Sequence, residues 1–209
     1  RFRTSRCVSE QFVSCFTMKY FLGGINGAGK TTLLHAIKEV APQFEIIKGS
    51  TALMEHLGIP GDYEALRELR HDDEAERKFR EMMAGITART DDLIFDGHFL
   101  NIVRGEIFPV VGPWIAEFDA ILLLRISTDT ALRRIEADHT RDRALFPDGA
   151  TAGERHATLD DYVAKYEAEF HRCAVEHHLS SKVLDGEAST MEIVKNFGEF
   201  DLEMRNVSS

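Results

Sequence analysis

Apolar residues along this chain fall into short runs of strand length separated by longer stretches with helical spacing. The runs are Lys19 to Gly23, Phe44 to Lys48, Leu93 to Asp96, Ala120 to Arg125 and Lys182 to Asp185. "AILLLRI", from Ala120, is apolar almost throughout, the pattern of a strand covered on both faces. Helical stretches lie between them: Lys30 to Val40, a two-part region from Thr51 to Arg89, Thr128 to His139, and Leu159 to His178. Strands that alternate with helices imply right-handed crossovers and a parallel sheet flanked by helices, an α/β domain.

Ser127 or Thr128 offers an N-cap for the helix that follows the fourth strand. The region "GIPGDYEALRELRHDDEAERKFREMMAGI" is longer than one crossover needs and predicts a small helical subdomain over one sheet edge, within residues 51–90. Turn formers break up His139 to Leu159, which reads as a loop or mobile flap. Residues 1–17 have no apolar signal-peptide core and are expected to lie outside the fold, as an extension or targeting remnant. A further strand near Gln11 to Phe16 is the competing reading. The domain is expected to span 18–200, followed by a tail over 201–209.

Composition narrows the function classes. At 209 residues and 44% hydrophobic, the chain can bury one full core but is short for two. A net charge of -10 argues against a general nucleic-acid binder, because neutralising a phosphate backbone needs a basic face. A small anionic substrate remains open if arginines cluster. Cys7, Cys15 and Cys173 show no CxxC spacing and are odd in number, which points to a reducing compartment. No run approaches the roughly 18 apolar residues of a bilayer span. The expectation is a soluble, cytoplasmic protein of unassigned oligomeric state.

The segment "KYFLGGINGAGKTTLL" carries the chemistry. Gly24, four residues, then Gly29, Lys30 and Thr31 fulfil G-x-x-x-x-G-K-[ST] between a strand and a helix. Glycines let the backbone N–H groups of Gly24, Asn26, Gly27, Ala28 and Gly29 curl around a phosphate, and the helix behind them presents its positive end. Lys30 is expected to reach the β- and γ-phosphates of ATP, with Thr31 on Mg²⁺ and Thr32 beside it. Asp96, ending an apolar strand, supplies a carboxylate that could hold the same Mg²⁺ through water.

Arg125, Arg133, Arg134, Arg141 and Arg143 cluster within residues 125–143, with no lysine among them. Guanidinium forks bind phosphate oxygens bidentately and stabilise charge on a transferring phosphoryl group. Arg141 and Arg143 therefore read as lid residues over 139–159. The competing reading is an ion-paired surface helix with Glu136, Asp138 and Asp142. Arg67 and Arg70, three apart, share a helix face in the inserted region, where an acceptor with its own phosphate would need them. His98, beside Asp96, either orients an acceptor group or is a structural histidine.

Taken together, "GINGAGKTT", the Gly49-Ser50-Thr51 turn, "ALREL", Asp96-Gly97-His98, "LRRIEADHTRDR" and "LDGEA" resemble adenylate kinases, most of all the archaeal-type branch of nucleoside monophosphate kinases. The resemblance covers Met18 to about Phe197. It implies a three-layer P-loop NTPase fold with a five-stranded parallel sheet, a helical acceptor-binding insertion, a short lid, and transfer from ATP to AMP. By position it implies Gly49 and Thr51 at the acceptor nucleotide and Arg67 on the acceptor phosphate. It likewise implies Arg134 packed on the ATP adenine, backbone contacts to adenine around Gly186, and Arg141 and Arg143 as the lid pair. The Gly-Phe-Pro-Arg run usual after the strand-end Asp is replaced by "GHFLNIVRGEIFP", which leaves Arg104 as the candidate second acceptor-phosphate ligand. The rival readings are a metabolite kinase on the same fold and an ATPase-linked interaction or assembly factor.

Overall fold

A computed structural model describes residues 17–69, 72–138 and 144–207. The five apolar runs form one parallel sheet: β1 (Lys19–Gly23), β2 (Glu45–Lys48), β3 (Leu93–Asp96), β6 (Ala120–Arg125) and β7 (Ser180–Asp185), in the order β2-β3-β1-β6-β7. Central strands β1 and β6 are buried along nearly their whole length because helices cover both sheet faces. The helices are α1 (Lys30–Val40), α2 (Gly49–Leu57), α3 (Tyr63–Glu68), α4 (Asp73–Thr87), α5 (Thr128–Ala137), α6 (Ala152–Glu176) and α7 (Thr190–Val207). Neighbours β1 and β6 send their following connections to opposite sides of the sheet, and such a switch point opens a crevice at the carboxyl ends of the strands.

The chain departs from the sequence reading in five places. The two-part region is three helices, α2, α3 and α4. Asp62 and Asp72 accept from the N–H of Ala65 and Ala75, and these two caps start α3 and α4. Gly49 to Thr51 is not a turn but the first turn of α2, directly after β2. Helix α6 starts at Ala152, seven residues before Leu159, so 152–159 is helix rather than flap. Thr151 accepts from the Glu154 N–H while Glu154 accepts from the Thr151 N–H, a capping box hidden among turn formers.

A β-hairpin, β4 (Leu100–Val103) and β5 (Glu106–Pro109), follows β3 and was not foreseen. The 201–209 stretch is not a free tail through Val207. Arg205 pairs with Asp92 and Asp201, Tyr20 donates to Asp201, and the Met18 N–H donates to Asp92, which fastens α7 to the amino end of the sheet. The reading of residues 1–16, the extra strand included, lies outside the described residues.

An aromatic cluster lies beneath the carboxyl edge of the sheet. Phe21 packs against Phe95, Phe99, Trp114 and Phe118 at 4.9–5.8 Å between centroids. A Cβ on Gly49 would come within 2.6 Å of the Phe95 ring, so the missing side chain lets α2 begin directly against the end of β3. Ser127 accepts from the Thr130 N–H and is the N-cap of α5.

Candidate functional site

The loop Gly24 to Gly29 leaves the carboxyl end of β1 and feeds α1. Gly27 and Gly29 take left-handed backbone angles, φ 81 and 96, which side chains with a Cβ rarely adopt; they turn the chain so that Lys30 opens the helix. The Lys30 side chain is nearly buried, folds back to donate to the Gly24 carbonyl at 2.6 Å, and holds its ammonium 3.9 Å from Asp96 Oδ1. Asp96 reaches this position because β3 pairs in register with β1, Asp96 opposite Leu22. A lysine and a carboxylate far apart in sequence thus meet at the mouth of one loop, next to the helix N-terminus that favours anions.

His98 lies in the same neighbourhood. Its Nδ1 is buried without a hydrogen-bond partner, and burial together with the nearby Lys30 charge pushes its imidazole well below the ordinary value, so the ring is neutral. Tyr166, on α6, is a residue that sequence reading missed. Its buried hydroxyl accepts from the Gly24 N–H at 2.8 Å and the Phe99 N–H at 3.1 Å. Burial raises the phenol above its ordinary value, against the pull of those two hydrogen bonds. One of two tyrosines on an amphipathic helix carries no sequence signal for this role.

On the other side of the loop, Arg134 donates to the Gly27 carbonyl (3.3 Å), the Ala28 carbonyl (3.1 Å) and the Gly186 carbonyl (3.4 Å), bringing loop, α5 and the turn after β7 together. Glu187, the neighbour of Gly186, accepts from the Ser127 N–H and from the Ser127 and Thr130 hydroxyls, and these bonds hold its carboxyl below the usual range. This cap from a distant turn was also missed, since Ser127 alone satisfies the capping pattern. Asn26 and Thr31 are partly exposed at the loop and Thr32 is exposed on the first turn of α1.

The acceptor candidates are more dispersed. Gly49 lies against the end of β3, since a Cβ built on it falls 3.0 Å from the Asp96 carbonyl oxygen. Thr51 is exposed on α2 and Arg67 is half-buried on α3. Arg104 is exposed in the hairpin turn with φ 49. Its N–H donates to the Ala144 carbonyl and that of Gly105 to Leu145, which ties the hairpin turn to the first part of the segment read as a lid. Arg70, Arg141 and Arg143 lie outside the described residues.

An AAA domain model matches residues 23–146, more than half of the chain. The chain belongs to the AAA domain family. Among curated proteins no sequence matches. The AAA domain here is similar in fold to shikimate kinase from Bacteroides thetaiotaomicron, with TM-score 0.62 and 16% identity over 88% of this chain and 97% of that one. Shikimate kinase from Acinetobacter baumannii, solved with shikimate, gives TM-score 0.62 at 12% identity over 90% and 94%. Deoxyadenosine kinase from M. mycoides, solved with dCMP and dCDP, gives 0.51 at 16% over 90% and 100%. The α/β P-loop kinase fold is common to all three, and the site of this AAA domain sits at the carboxyl edge of its sheet.

Proposed function

We propose that this protein is an ATP-dependent phosphotransferase that moves the γ-phosphoryl group to a nucleoside monophosphate, AMP being the favoured acceptor. The observation that carries the proposal is the Lys30 to Asp96 approach at the phosphate loop, 3.9 Å, with a helical insertion after β2. Transfer of this kind needs positioning and charge neutralisation more than covalent chemistry, so no nucleophilic side chain is required.

In this reading the amides of Asn26, Gly27, Ala28 and Gly29 orient the phosphates of ATP together with Lys30, whereas the Gly24 N–H, expected in the same cradle, is taken by the Tyr166 hydroxyl. Arg134 and the backbone at Gly186 border the base, Gly49, Thr51, Arg67 and Arg70 serve the acceptor, and Arg141 and Arg143 close from the lid and exclude water. The Thr31 hydroxyl and the Asp96 carboxylate are hard oxygen donors suited to Mg²⁺, with Asp96 acting through water. Bound with ATP, Mg²⁺ supplies neutralisation of the phosphate oxygens. Among the described residues no cluster of three His, Cys, Asp or Glu side chains could hold a metal by itself, which suits an ion that draws most of its ligands from phosphate and water. A reducing, cytoplasmic setting belongs to the same proposal; Cys173 is a buried free thiol, and among the described residues no helix is long and apolar enough to cross a membrane.

A second reading, a kinase for a small non-nucleotide metabolite, is favoured by the higher fold similarity to the two shikimate kinases than to deoxyadenosine kinase. The shared site is the same and only the acceptor differs. A coupled assay of ADP formation with Mg-ATP over nucleoside monophosphates, nucleosides and hydroxy acids separates the readings. Turnover with AMP or another monophosphate supports the first, and turnover only with a non-nucleotide replaces it by the second. Slow phosphate release that no acceptor accelerates removes both and leaves an ATPase-linked role.

A further inference from the structure

We propose that Tyr166 is a positioning residue that joins the ATP half of the site to its acceptor half, an inference that rests on the phosphotransferase reading above. Its hydroxyl takes hydrogen bonds from both segments leaving the neighbouring strands β1 and β3: Gly24, where the phosphate loop departs from β1, and Phe99, three residues beyond Asp96. Gly24 is also the residue whose carbonyl accepts from Lys30. The phenol therefore anchors the amide side of the residue whose carbonyl the lysine ammonium rests on, and through Phe99 it ties the segment after Asp96 to that residue.

The surroundings are shaped to hold this oxygen. A Cβ on Gly23 would meet the Tyr166 hydroxyl at 3.1 Å and the Phe99 ring at 2.2 Å, so β1 ends on a glycine where phenol and ring press closest. The Tyr166 ring packs edge-on against Phe99 (5.7 Å) and His98 (6.5 Å), and the side chain is 1% exposed. Both N–H groups point inward and are bonded to this oxygen at a buried position. Loss of the oxygen leaves both unpaired, a cost carried by the loop and the strand end rather than by the helix.

The same helix provides a matched control. Tyr162, one turn earlier, is equally buried and packs edge-on against Tyr166 at 5.6 Å, but its hydroxyl donates to the Leu100 carbonyl in the hairpin and touches neither the loop nor Phe99. A purely structural tyrosine and a positioning tyrosine thus stand four residues apart with similar burial but different bonding, one donating to a single carbonyl and the other accepting from two N–H groups.

The experiment compares Tyr166→Phe and Tyr162→Phe in the full chain. Thermal unfolding reports stability, calorimetric titration with Mg-ATP needs no acceptor, and kcat and KM are then read with whichever acceptor the panel above identifies. Both variants are expected to lose stability, Tyr166→Phe the more because it leaves two N–H groups unpaired against one carbonyl for Tyr162→Phe, while only Tyr166→Phe weakens ATP binding by about tenfold and lowers kcat, the lower range for a buried amide left unpaired. Equal ATP binding in the two variants, or wild-type ATP binding in Tyr166→Phe, overturns the proposal. Failure of every acceptor sinks the phosphotransferase reading but leaves the ATP comparison decisive for Tyr166. If Tyr166→Phe does not fold, hydrogen exchange of the Gly24 amide in the unaltered protein decides: slow exchange without nucleotide supports the tie, and solvent-like exchange overturns it.

Discussion

Lys30 Nζ and Asp96 Oδ1 stand 3.9 Å apart, with the two side chains only 10% and 15% exposed. The pair is too long for a hydrogen bond and close enough for each charge to favour the other. An ammonium between a loop carbonyl and a carboxylate is poised to exchange these partners for phosphate oxygens. Lys30→Ala is expected to lower acceptor-dependent ADP formation by roughly 10²- to 10³-fold, the usual effect of removing one preorganised donor. The coupled assay reads it, and retention of more than a tenth of the rate would remove Lys30 from the reaction.

Arg67 is the acceptor-side test. Arg67→Ala is expected to raise the half-saturating acceptor concentration by about tenfold or more, since a hydrogen bond to a charged group contributes about 1.5–3 kcal/mol. Half-saturation with ATP should not move. A shift in ATP saturation with acceptor saturation unchanged would assign α3 to the wrong substrate.

Two glycines on helices should respond in opposite directions. Gly49→Ala places a methyl within 2.6 Å of the Phe95 ring and should destabilise the fold by about 1–3 kcal/mol. Gly85→Ala, in the last turn of α4 with nothing within 4 Å, should stabilise it by up to about 1 kcal/mol. Thermal unfolding of both variants checks the pair; a neutral Gly49→Ala would mean that α2 can retreat from β3.

Arg205 lies between Asp92 and Asp201, all three partly buried at the edge of the sheet opposite the site. Arg205→Ala leaves two carboxylates without their cation and should cost about 2 kcal/mol, read as a fall in Tm of roughly 4–8 °C for a domain of this size. ATP binding should be unchanged, because the network and the phosphate loop occupy opposite ends of the strands.

Cys173 is the chemical probe of packing. Burial, and after it the Glu169 charge, pushes its thiol up to about 11, so at pH 8 it is protonated in the native protein and reactive only as the pH approaches that value or the fold opens. Iodoacetamide at pH 8 followed by peptide mass spectrometry should leave Cys173 unmodified, with full labelling after denaturation. Rapid native labelling would show that α6 does not pack as described.

The patterns visible in the sequence were those with a short-range cause. Five apolar runs became five strands, and G-x-x-x-x-G-K-T became a loop with left-handed glycines, because spacing and backbone freedom are written residue by residue. The start of α6 was obscured because Thr151 and Glu154 cap it from within a stretch of turn formers. The hairpin after Phe99 was obscured because Arg104 and Gly105 replace the usual turn dipeptides.

By itself the sequence determined the α/β class, the phosphate loop and the identity of the residues with charge to offer. Only the tertiary structure decided which of them meet: Asp96 comes to Lys30 through the register of β3 on β1, Glu187 caps α5 from the far end of β7, and the Tyr166 hydroxyl reaches Gly24 across 142 residues of chain. Local periodicity determines elements because each residue feels its neighbours within a turn or a pleat. Contacts between strand ends depend on sheet order, which arises from burying all the apolar faces at once and is written in no single stretch.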